Sequence, residues 1–259
     1  MSLPDKAVGG EQSISETTFL WYGPPGCGKT SLATGFPGVF FLATESGQKA
    51  HKVYMRDVKH WNNPDDKDHS FTHLVTDLGK RNKHQFKTVA IDTADRLVDL
   101  CVRYSNEKLG ISHESEAEWG KGWDAVKKEF DREISKLFAT GLGVIFISHT
   151  KTDEITTELE NIKKQTPTLS KQARRILLGL VDVIGYMRMR TIKTGDKKFV
   201  KKYVMTFEPS DEIEAKDRTG LLPSNLELDR IPDDVRKTPK IVEEYAKKNF
   251  KRIAKYFDD

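Results

Sequence analysis

The chain has 259 residues, 37% of them hydrophobic and 32% charged, which suits one large domain or two small ones and leaves enough apolar side chains for a core. No apolar run approaches the ~20 residues of a membrane span, and the polar stretch Met1 to Glu16 lacks a signal-peptide pattern, so a cytoplasmic protein with a flexible N-terminal tail over 1–16 is expected. Two cysteines, Cys27 and Cys101, give neither a disulfide framework nor a zinc site, and the net charge of +4 permits an acidic partner such as nucleic acid without requiring one.

Thr17 to Tyr22 is β-branched and aromatic and predicts a buried strand. It runs into Gly23-Pro24-Pro25-Gly26-Cys27-Gly28-Lys29-Thr30, which satisfies G-x-x-x-x-G-K-[ST] at every fixed position, with Ser31 next in a helix that opens at Lys29. Such glycines let consecutive N–H groups turn inward around phosphates, and a helix N-terminus favours their charge. Lys29 would reach the β- and γ-phosphate oxygens of ATP, and Thr30 would ligand Mg²⁺. A Gly/Pro turn before a chance lysine is the plain alternative; such a match falls in roughly one sequence per hundred, and the preceding strand makes it rarer.

Gly35-Phe36-Pro37-Gly38 stops the first helix, and Val39 to Ala43 predicts a second buried strand ending at Thr44-Glu45-Ser46-Gly47. A polar stretch with a turn at Trp61 to Asp66 follows, then a helix over His69 to Arg81. Phe86 to Thr93 is an apolar run that carries Asp92 at its end, and Ala94 to Lys108 predicts a helix. Trp119 to Ala139 has the strongest helical period, with Trp123, Val126, Phe130, Ile134, Leu137 and Phe138 inward. Val144 to Ser148 is another buried strand, running into His149. Alternating strands and helices predict an α/β fold, a mostly parallel twisted sheet with helices on both faces. Ligands gather at the carboxyl ends of such strands, where Gly23 to Thr30, Glu45, Asp92 and His149 all fall.

Beyond Lys151 the pattern changes. Asp153 to Thr168 reads as a loop or exposed hairpin, and Ser170 to Gly179 as a helix. Val181 to Arg190 and Lys198 to Phe207 predict antiparallel strands joined at Thr194-Gly195-Asp196, an antiparallel C-terminal edge. Residues 17–236 form the expected domain, and 237–259 a basic amphipathic helix with Ile241, Tyr245, Phe250, Ile253 and Tyr256 inward or partner-facing.

Asp92 suits Mg²⁺, held directly or through water beside Thr30; otherwise it caps the helix from Ala94, with Asp95 as a rival cap. Glu45 is the candidate to orient or deprotonate an attacking water, or else a solvated loop residue. His149 could sense a γ-phosphate or merely cap the sheet. Lys216 and Arg218 are either an arginine-finger pair, often supplied by another subunit, or a solvated K-x-R pair.

Taken together, the set resembles the RecA/DnaB superfamily of ATPases, most closely the small phage RecA-like ATPases associated with single-strand annealing and recombination. Phe41 to Glu45 resembles the segment that supplies the catalytic glutamate in RecA-type proteins, and Val89 to Thr93 resembles their Walker B. Ile145 to His149 falls where those relatives carry a glutamine-type γ-phosphate sensor, here a histidine. Ala215 to Gly220 resembles the lysine/arginine finger of DnaB-type helicases. The resemblance implies a RecA-like P-loop fold, ATP and Mg²⁺ as cofactors, catalytic roles for Glu45, Lys29, His149, Lys216 and Arg218, and a homo-oligomer, ring or filament. It also implies single-stranded DNA, and a single-strand-binding protein, as partners in the host cytoplasm. In such folds the loops after the sensor strand face nucleic acid. Here that region carries Lys163, Lys164, Lys171, Arg174 and Arg175, suited to backbone contact, with Lys197, Lys198, Lys201 and Lys202 a second patch. A DnaB-like helicase or translocase, a P-loop kinase for a small acceptor, and a nucleotide-gated interaction protein are the competing readings.

Overall fold

A computed structural model describes residues 13–45, 51–117, 120–156, 160–193, 199–235 and 238–257. Residues 1–12, Ser46, Gly47, Trp119, the turn Thr194-Gly195-Asp196, Lys197 and Lys198 lie outside the described residues.

The order begins β1 (Thr18–Tyr22), α1 (Lys29–Ala33), β2 (Val39–Ala43), β3 (Tyr54–Asp57), α2 (Phe71–Leu78), β4 (Thr88–Asp92), α3 (Ala94–Leu109), α4 (Lys121–Ala139) and β5 (Gly143–Ser148). It continues with β6 (Thr150–Thr156), β7 (Asn161–Pro167), α5 (Lys171–Leu180), β8 (Val183–Lys193), β9 (Phe199–Thr206), β10 (Lys216–Asp217), β11 (Asn225–Leu228) and α6 (Pro239–Ala254). Among the described residues the main sheet runs β11-β9-β8-β1-β5-β4-β2-β3, with β10 on β8. Every pairing from β3 across to β8 is parallel, while β9, β10 and β11 add antiparallel edges.

Alternation within each strand assigns the two faces. Leu20, Tyr22, Leu42, Ile91, Val144 and Phe146 pack under α2 to α5, and Phe19, Trp21, Phe41, Ala90, Ile145 and Ile147 pack under α1 and α6. Both faces are therefore dry, which is why these strands read as unbroken apolar runs.

Several elements depart from the sequence reading. β3 was expected as polar loop; its exposed residues give no apolar period, yet it pairs in parallel with β2. β8 joins the parallel sheet beside β1 as well as pairing with β9. The charged stretch after His149 takes the hairpin alternative of that reading, β6 against β7. Trp123, expected inward, is 36% exposed. It lies in the first turn of α4, where Gly122 abuts the backbone of Glu114, and its ring meets His113 edge-on instead of the core. The N-terminal turn at 13–16 buries Ile14 in the core. In α6 the buried stripe is Val242, Ala246, Asn249 and Ile253, one step from the expected Ile241 and Tyr245.

Candidate nucleotide site

The carboxyl ends of β1, β5, β4 and β2 form one edge, and the glycine-rich loop opens on it. Gly23 cannot carry a side chain, since a Cβ there would lie 2.0 Å from the Met187 carbonyl oxygen on β8. Gly28 takes φ 94° to start α1, and a Cβ on it would strike the Tyr203 ring at 2.6 Å. Lys29 is only 6% exposed and donates to the carbonyls of Gly23 (2.7 Å) and Pro24 (3.0 Å). Neutral carbonyls satisfy a buried ammonium weakly, and a phosphate oxygen in their place makes a stronger, charge-assisted bond. Burial pushes the Cys27 thiol up, while Lys29, with Nζ 3.6 Å from the sulfur, opposes the shift.

Thr30 Oγ1 donates to Asp92 Oδ2 at 2.7 Å. A hydroxyl and a carboxylate side by side are hard oxygen donors that suit Mg²⁺. Among the described residues no group of three or more His, Cys, Asp or Glu could hold a metal alone. Such an ion here would share its ligands with phosphate oxygens and water, as Mg²⁺ prefers. Thr93, not Asp92 or Asp95, occupies the N-cap position of α3.

Glu45 is held by stitching between strand ends. Thr44 N donates to the Asp92 carbonyl (2.9 Å), and Thr44 Oγ1 both donates to Thr93 O (2.9 Å) and accepts from Thr93 N (2.7 Å). Thr93 Oγ1 then donates to Glu45 Oε1 at 3.0 Å, with Arg96 Nε 3.8 Å from the same oxygen and His149 Nε2 3.8 Å from Oε2. His149 is positioned by Asp95, which accepts from its backbone N–H (3.1 Å) and from Ser148 Oγ (2.9 Å). Asp95 thus fastens the end of β5 to α3.

Lys29, Thr30, Glu45, Asp92 and His149 line one pocket of about 320 Å³. Of the residues singled out from sequence, Pro25, Gly26, Gly28, Lys29, Thr30, Ser31, Glu45, Asp92 and His149 line it. Thr93, Ile147, His51, Tyr203, Ile231 and Val242 line it too. Thr93 was the legible one, as the hydroxyl residue after the acid.

Lys216 and Arg218 do not line this pocket. Lys216 pairs with Ile184 near the start of β8 and donates to Leu178 O (2.6 Å), while Arg218 donates to Gly179 O (2.9 Å) and lies 3.8 Å from Asp182. Asp182 accepts from Thr18, the first residue of β1 (3.0 and 2.6 Å). Both cations therefore sit at the amino edge of the sheet, opposite the loop; five residues of β1 at ~3.3 Å each put roughly 17 Å between the edges. Burial, then the like charge of Arg218, holds the Lys216 ammonium below its ordinary pKa, with Asp182 opposing.

Lys163 and Lys164 lie on β7, and Lys171, Arg174 and Arg175 on α5. Arg174 is engaged by Asp153 (2.9 Å) and Glu214 (2.8 Å) and clamps the hairpin to the body, while Lys163 lies 3.9 Å from Glu154.

A parallel sheet with a phosphate loop on its carboxyl edge, a lysine inside that loop and a threonine–aspartate pair beside it defines a P-loop ATPase domain. The profile of a family described as an AAA domain matches residues 15–219, and the chain belongs to that family. It is 25% identical over 197 residues to the SPbeta prophage-derived uncharacterized protein YorG of Bacillus subtilis (strain 168), an alignment covering 74% of this chain and 56% of that relative. Among the described residues no helix is long and apolar enough to cross a membrane.

Proposed function

We propose that the protein hydrolyses ATP with Mg²⁺ as a RecA/DnaB-like switch or motor on single-stranded DNA, in phage recombination, annealing or repair, within the host cytoplasm. The observation that carries the reading is Glu45, fixed by Thr93 within the pocket that Lys29, Thr30 and Asp92 also line. In this scheme Glu45 accepts a proton from water as the water oxygen bonds to the γ-phosphorus. The bond to the β–γ bridging oxygen breaks, and ADP and phosphate leave. Thr30 and Asp92 hold Mg²⁺, which when bound neutralises charge on the phosphate oxygens. Among the described residues no arginine lines the pocket, which favours hydrolysis over a kinase with an arginine-bearing lid.

Lys216 and Arg218 act on the nucleotide of a neighbouring copy, since their own lies at the other edge. A contact between unlike edges is head-to-tail and builds a ring or a filament. His149 is followed at once by Thr150, the first residue of β6, so the proposed γ-phosphate sensor and the charged hairpin share continuous backbone. Lys163, Lys164, Lys171 and Arg175 would contact DNA phosphates, with Arg174 holding the hairpin in place, and a single-strand-binding protein would share the same strand.

ATPase rate with and without single-stranded DNA, titrated in salt, is the test. The expected result is stimulation that fades as salt rises. ATP turnover that DNA leaves unchanged at every salt concentration would sink the DNA reading and leave the ATPase standing. Absence of turnover under all conditions, with phosphate appearing on an added acceptor, would favour a kinase.

A further inference from the structure

We infer that Tyr203, Ile231 and Val242 form an apolar slot that holds the base of the nucleotide, so that the C-terminal helix is part of the nucleotide site. This rests on the reading of the glycine loop as a triphosphate cradle and extends it to the base and to residues beyond the matched family span.

The sheet order sorts the pocket into two ends. Glu45, Asp92, Thr93 and His149 lie at the carboxyl ends of β2, β4 and β5, which are on one side of β1. Tyr203 belongs to β9, two strands away on the other side, and Val242 to α6. The phosphate loop follows β1 and lies between these ends. A nucleotide with phosphates on the loop and its reacting end toward Glu45 must direct its base toward Tyr203, Ile231 and Val242. The chemistry agrees: all the pocket's carboxylates lie at the first end, while the second offers an aromatic ring and two branched aliphatic side chains. Concave, mostly apolar walls with few polar groups are what a flat heteroaromatic ring needs.

The slot is built rather than incidental. The Tyr203 ring rests on Gly28, the residue that starts α1, and is 3% exposed. α6 lies along α1: a Cβ on Gly35 would meet the Ala246 carbonyl oxygen at 2.3 Å, and the Phe36 and Phe250 rings are 4.8 Å apart. Val242, one turn before Ala246, consequently reaches the pocket. Asn249 pins the segment before Ile231, accepting from Asp229 N (2.8 Å) and donating to Asp229 O (2.9 Å). Lys248 and Arg252 add ion pairs to the Asp229 carboxylate at 2.6 and 3.0 Å. Ile231 and Val242 lie past residue 219, where the family match ends.

The experiment compares Mg·ATP with Mg·tripolyphosphate, which has the phosphates and no base, binding to the full chain by calorimetry. Wild type should bind ATP at least about tenfold tighter than tripolyphosphate. Ile231→Ala and Val242→Ala, each confirmed as folded by its melting curve, should weaken ATP about 5- to 10-fold and leave tripolyphosphate unchanged. Equal affinity of wild type for the two ligands, or variants that weaken both alike or neither, would overturn the slot. A wild type that binds neither ligand would overturn the cradle, and the slot with it.

Discussion

The two edges of the sheet hold their charged groups in different ways. At the carboxyl edge the groups are buried or cross-bonded: Lys29 inside its loop, Thr30 on Asp92, Glu45 on Thr93. At the amino edge Lys216 and Arg218 are tied to carbonyls at the end of α5 and remain partly open to solvent. The first edge is assembled by strand order within one chain. The second presents cations to whatever approaches it, and its own phosphates are out of reach. A charged pair's place in a motif is therefore a poor guide to which edge of the sheet it occupies.

The largest effect separates the edges outright. Lys29→Ala should remove ATP hydrolysis to background, a loss of about 10³-fold or more, because no other buried cation faces the loop in the described pocket. Arg218→Ala should cost about 10³-fold in kcat with little change in ATP affinity. Glu45→Gln should slow kcat by about 10³-fold and leave ATP bound, since the amide keeps the shape but cannot take a proton. Mixing these last two variants tests the comparison directly. If the edges serve different copies, the mixture regains activity that neither variant has, because Glu45 of one meets Arg218 of the other; no recovery would break it. Asp95→Ala should have the smallest effect, about 10- to 100-fold in kcat, through loss of the anchor for His149, and DNA stimulation should fall with it.

Much of the carboxyl edge was legible because each residue follows an apolar run that could only be a buried strand. Glu45, Asp92 and His149 end such runs, and the loop motif fixed the first. Topology supplied what local pattern could not. Tyr203 follows two lysines on β9, and Val242 looks like any core residue of an amphipathic helix; only the tertiary fold brings them to the phosphate loop. The same limit hid β3, whose side chains have no apolar face to give a period. Asp95 competed with Asp92 as a helix cap, and its bonds to Ser148 and His149 depend on α3 lying beside β5. Trp123 fitted the helical period, but period alone says which face a residue shares, not how far along the helix the core extends.

Placing Arg218 on the edge away from its own phosphates has an arithmetic consequence. If Arg218 completes a neighbour's site, an open stack of n copies would finish n − 1 active centres and leave one terminal copy with intact ATP, whereas closing the stack into a circle would complete all n. Turnover per polypeptide would then climb with stack length toward a plateau, and the end that lacks a neighbour would be the slowest to lose its nucleotide and the point where growth resumes.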